Sequence, residues 1–257
     1  MVDVTEASHP RGGGSSTAGS LLVLLVIVLI ATLLKVGNAS GPELIEPGPD
    51  PRGFRFQRVD AATGMPVRYN PCAPVHYTIN PALAPSTAIS DVHRAFEVTG
   101  GATGIDFVFD GTTTEAPSLK RLPYQPRSYG RRWTPILIAF SDGPPSLDGT
   151  KEVAGKHTIG QAGSSYEVNE GGAAVFVTGT AVFDAGAMLT PGFGRQTWGQ
   201  LILHELGHVV GLSHVENPES VMNPTIDVSH SAWGPGDRAG LWALGEGGRC
   251  IDPPPLP

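Results

Sequence analysis

Apolar residues crowd most densely near the N-terminus, where Leu21 to Leu34 contains only Leu, Val and Ile apart from one Ala and one Thr, and Lys35 ends the run. Fourteen such residues suit the core of a signal peptide and are short for a membrane span. Gly37-Asn38-Ala39 offers a small-x-small cleavage signature. Counting instead from residue 18 to residue 36 gives a segment able to span a bilayer with its lysine at the interface. Residues 1–39 thus read as a cleaved signal or as an uncleaved anchor. Either way, the remainder of the chain is expected outside the cytoplasm, and membrane contact is confined to residues 18–36.

Residues 40–66 are rich in Gly, Pro and acidic groups, a composition that predicts a linker, with folded structure beginning near Val67. Val75 to Asn80 predicts a strand bounded by prolines. Ser86 to Thr99 carries Ile89, Val92, Ala95 and Phe96 at helical spacing, with Ser86 or Thr87 placed as cap. Ile105 to Phe109 alternates like a strand, and Ile136 to Phe140 is a short apolar run suited to a buried one. Residues 141–172 are polar and Gly-rich. Ala173 to Phe183 holds two β-rich halves around Thr178-Gly179-Thr180, predicting a hairpin or two short strands. A strong helix begins near Gln196 or Thr197, with Ile202, Leu206, Val209 and Val210 along one stripe. Strand, helix, further strands and then a long helix describe an α+β domain, a mixed sheet with helices packed on it.

Composition narrows the partners. The chain has 257 residues and a net charge of −7, so it lacks the basic footprint that nucleic acid requires. The 34 glycines and 24 prolines argue against a helical bundle. Its two cysteines, Cys72 and Cys250, bracket the expected domain. In an oxidising compartment a disulfide between them is the favoured reading; the rival is Cys72 as a thiolate that blocks a metal.

The chemistry gathers on the long helix. His204 and His208 lie four residues apart, so they share a face and can aim ring nitrogens at one zinc at about 2.0–2.1 Å. Glu205 is beside them, close enough to reach a water without competing as a ligand. Gly211 can end the helix in a left-handed conformation, and the reversal would return His214 as a third ligand. Three protein ligands with one open position is the usual form of a catalytic zinc site.

The stretch HELGHVVGLSH over residues 204–214 resembles the extended zinc motif of the metzincin metallopeptidases, and ESVMNP over 219–224 resembles their Met-turn. The Gly-Leu-x-His ending and Met-x-Pro turn are most similar to the matrixin branch, although Val215 stands where matrixins usually have Ser. GPGDRAGLWALG (234–245) resembles the final helix of bacterial matrixin-like peptidases, with Asp237 as a candidate N-cap, and PCAPVHYTIN (71–80) is a weaker likeness. The resemblance implies a metzincin-like zincin fold. It has a twisted mixed sheet, a long active-site helix and a C-terminal helix after the Met-turn, spanning residues 67–252 as the catalytic domain. It implies a zinc-dependent endopeptidase acting on protein or peptide substrates as a monomer. One zinc would be held by His204, His208 and His214, with Glu205 as general base towards its water and Met222 beneath the ligands. A strand within Ala173 to Phe183 is the expected edge for pairing an extended substrate.

A structural zinc or calcium has no comparable support. His157, His76 and His93 have no partner at metal-binding spacing, and Asp184 reads as a turn carboxylate. Two alternatives remain: a zinc-binding envelope or adhesion module without turnover, and a thermolysin-like peptidase. The second would take its third ligand from Glu216, Glu219 or Glu246, none of which sits in a clear helical context.

Overall fold

The computed structural model describes residues 41–118, 121–145, 158–225 and 232–257. The apolar run at 21–34, the cleavage signature at 37–39 and His157 lie outside the described residues. Among the described residues, no helix is long and apolar enough to cross a membrane.

Five strands form one sheet in the order β4-β3-β5-β7-β6. They are β3 (Val75–Ile79), β4 (Phe107–Thr112), β5 (Ile136–Ser141), β6 (Gly160–Val168) and β7 (Ala174–Asp184). The first four positions pair in parallel, and β6 closes one edge antiparallel to β7. Central β5 is buried on both faces from Ile136 to Phe140, as a continuous apolar strand in a parallel sheet should be. Helices α1 (Ala88–Thr103) and α3 (Trp198–Val210) cover one face, and their apolar sides join Ile136, Ile138 and Phe140 in one core. A short helix, α2 (Pro126–Tyr129), interrupts the connection before β5, and α4 (Pro235–Leu244) ends the regular structure.

Most predicted elements are present, with instructive shifts. Helix α1 runs on to Thr103, past Gly100 and Gly101, because the Thr103 hydroxyl bonds back to Thr99 O at 2.9 Å and the left-handed residue is Gly104. Its N-cap is Thr87, whose side chain makes no capping hydrogen bond. The predicted hairpin at 173–183 is one continuous strand of 11 residues. Gly179 is there for close approach rather than for a turn: a Cβ would come within 2.6 Å of Ser164 Oγ and 3.0 Å of Tyr69 Oη. The polar stretch before it supplies β6, which pairs with β7 along nearly its whole length. Among the described residues β7 is therefore internal, and the edge strand beside α3 is β6. That corrects the expected substrate edge.

The largest departure precedes Val67. The predicted linker at 40–66 is built into the fold from residue 41: β1 (Leu44–Ile45) pairs with β2 (Val59–Asp60), and Phe54 is 2% exposed. Two buried apolar side chains, Phe54 and Val59, and two backbone hydrogen bonds to residues 211 and 213 anchor this Gly- and Pro-rich stretch in a way that its composition did not suggest. Cys72 and Cys250 are joined by a disulfide across 178 residues of chain, tying the entry to β3 to the chain after α4. Cys72 is thus not a free thiolate.

Candidate metal centre

Helix α3 is capped by Thr197, whose hydroxyl accepts the Gln200 amide at 3.3 Å, and 12 of the helix's 13 residues are buried. A helix apolar nearly all round belongs in a core, so its polar residues stand out. Gly211, at φ 116°, reverses the chain, and the Leu212 amide returns to Gly207 O at 2.8 Å. This closure brings His214 over the helix. Its Nε2 lies 3.1 Å from His204 Nε2 and 3.0 Å from His208 Nε2.

The tautomers follow from the other ring nitrogens. His204 Nδ1 donates to Val221 O at 2.7 Å and His208 Nδ1 to Leu212 O at 2.9 Å. Both Nε2 atoms therefore turn bare lone pairs towards the same point, an arrangement that a cation would stabilise. Nitrogens at tetrahedral corners about 2.0–2.1 Å from zinc stand about 3.3 Å from one another, close to the spacing found. Three neutral imidazoles are also the donor set zinc accepts. The residues fit the ion. Among the described residues they are the metal-capable cluster, and Glu216, Glu219 and Glu246 do not join it. His76 instead pairs with Asp110 at 2.7 Å, and His93 bonds the Tyr77 hydroxyl at 2.8 Å. Asp184 accepts the Gly186 amide at 2.8 Å, as a turn carboxylate does.

A buried support lies behind His204. Asp237 accepts the Val221 amide at 2.8 Å and the Gly234 amide at 3.0 Å, and the Ser220 hydroxyl donates to its other oxygen. It is the third residue of α4 and not its N-cap, which is Gly234. Through Val221 it holds the carbonyl that orients His204. Met222, 1% exposed, packs against Gly207, where any Cβ would collide with its sulfur. No local spacing announces the partnership of Asp237 with Val221, because it joins two segments sixteen residues apart.

Glu205 is 4% exposed, and its Oε2 has no hydrogen-bond partner among the described residues. Burial raises its pKa to about 8. Burial also lowers His204 to about 4, His208 well below its usual value, and His214 in the same direction. The metal-free histidines are neutral at pH 7, ready as ligands.

Opposite pH effects on the metal-free fold follow. The His204 contribution to stability is present above pH 6.5 and lost as pH falls through about 4, and His208 and His214 act in the same direction. The Glu205 contribution is present below pH 4.5 and lost as pH rises through about 8. Of Glu205 and the three site histidines, Glu205 is the group whose folded-state ionisation falls near pH 8, so the melting temperature in chelator should fall by several degrees between pH 6.5 and 8, at up to about 1.4 kcal/mol per pH unit. Glu205→Gln should remove that decline; parallel melting curves for the two proteins would contradict the assignment.

A mixed sheet backed by two helices, with three converging histidines above the buried Met222, fits a metzincin-like fold. The matrixin family model matches residues 167–244, which carry the end of β6, β7, α3, all three histidines and α4 up to its last residue. Over that segment the chain is matrixin-like, and hydrolysis of protein or peptide is the general activity this supports. No curated protein matches the chain.

Proposed function

We propose that the chain is a zinc-dependent endopeptidase acting outside the cytoplasm, with His204, His208 and His214 as zinc ligands and Glu205 as general base. The observation that carries this reading is the buried, unpartnered Glu205 Oε2 one residue from a converging histidine set. A structural helix has no use for an unsatisfied buried carboxylate. Zinc bound there would supply a Lewis acid and a water of lowered pKa. Glu205 Oε2 accepts a proton from the attacking water and returns it to the leaving nitrogen. The charge of an ion held by the histidines would keep Glu205 ionised despite its burial. The outer edge of β6 aligns an extended substrate by strand addition, and its first residue, Gly160, adjoins Glu205.

Residues 1–39 serve in this reading as signal or anchor, and the disulfide supports an oxidising location. The catalytic unit extends upstream of Val67 to include 41–66.

Gly160 sets the position of Glu205. A Cβ at residue 160 would come within 2.5 Å of Glu205 Oε1. Gly160→Ala should lower turnover by about 10- to 100-fold, the scale of a small misplacement of a reacting group. Zinc content should not change; full turnover would show that Glu205 tolerates displacement.

The proposal is tested by incubating the purified chain with a quenched peptide library, with and without chelator. Cleavage that disappears with chelator and returns with one equivalent of zinc is expected. One bound zinc without cleavage would favour a silent zinc-binding module.

A further inference from the structure

The chain from Asp50 to Gln57 runs between α4 and the loop that leaves α3. Phe54 lies against Gly240, where a Cβ would stand 2.9 Å from its ring, and the backbone of Gly53 abuts Gly236. Arg55 O accepts the Ser213 amide at 2.7 Å, the Gln57 amide donates to Gly211 O at 2.8 Å, and Phe56 pairs antiparallel with Leu212. Residues 211–213 are the three through which the chain reverses. Leu212 O is the acceptor that orients His208, and His214 follows directly. The Gln57 side-chain amide is 3.5 Å from His208 Nδ1, too long to contribute much. The main chain carries the contact.

We propose that residues 50–57 form a retained strap that positions His208 and His214 for the metal, so that a chain processed downstream of Gln57 would lose its site. The inference rests on the zinc reading above. His204 is held independently, through Val221 and Asp237. The strap is thus responsible for two ligands of three. Partners that orient ligands from outside typically change metal affinity by about 10- to 100-fold.

The test uses the full chain and measures zinc affinity by chelator competition. Gln57→Pro deletes the amide that bonds Gly211 O, whereas Gln57→Ala keeps it. Phe96→Leu loosens the remote stack on Tyr77 and controls for lost stability. Gln57→Pro should weaken zinc by about 10- to 100-fold. Gln57→Ala and Phe96→Leu should stay within about threefold of wild type, since neither touches the ligand-bearing backbone. Coupling is reciprocal, so zinc should slow hydrogen exchange at the Gln57 and Ser213 amides of the wild-type chain. Wild-type affinity in Gln57→Pro overturns the proposal. If that variant does not fold, unchanged exchange at these two amides on zinc binding overturns it instead. A wild-type chain that binds no zinc overturns the metallopeptidase reading as well, which separates the two failures.

Discussion

Glu205→Gln should retain one zinc per chain and lose roughly 10³- to 10⁴-fold in kcat/KM, the range expected when a general base and its transition-state contacts are removed. The substitution is nearly isosteric, and it replaces a carboxyl whose pKa burial holds near 8 by a neutral group. It imposes no new desolvation, so the metal-free variant should be at least as stable as wild type above pH 6.5. A folded, zinc-loaded and inactive protein would separate the base from the ligands. Activity within tenfold of wild type would remove Glu205 from the mechanism.

His214→Ala should weaken zinc by roughly three orders of magnitude, on the scale of one ligand's share of a site whose binding free energy is about 10–16 kcal/mol. The effect on the metal-free fold should be small. His214 sits in a loop and is the most exposed of the three, whereas His204 is buried and bonded to Val221 O at 2.7 Å. Melting temperatures should therefore coincide in chelator and diverge when zinc is added, because only wild type gains the linked stabilisation. Unchanged zinc content in the variant would point to a carboxylate third ligand, as in thermolysin-like enzymes, and would sink the metzincin assignment.

The two predictions draw on different depths of information. The His204–Glu205–His208 spacing and the stop at Gly211 are visible in eleven consecutive residues, because helical periodicity and glycine's left-handed conformation act over a few positions. Met222 was placed by the likeness of residues 219–224 to a Met-turn, since no local spacing rule singles it out. Gly179 misled: within its own neighbours it resembled a turn, and only Ser164 and Tyr69, brought in from other segments, explain why it must lack a side chain. Asp237 was legible as a helix-start residue but not as the support of His204.

Local sequence alone determined that a helix would carry His204, Glu205 and His208 and end at Gly211 just before His214, inside an α+β domain. Tertiary structure alone decided that β6 is the edge and β7 internal and that residues 41–66 are built into the fold, and it closed the Cys72–Cys250 disulfide that the sequence favoured. Each of those outcomes is a pairing between segments distant along the chain. Such pairings depend on surfaces that exist only after both partners fold, whereas the zinc motif needs little more than one helix and the turn that ends it.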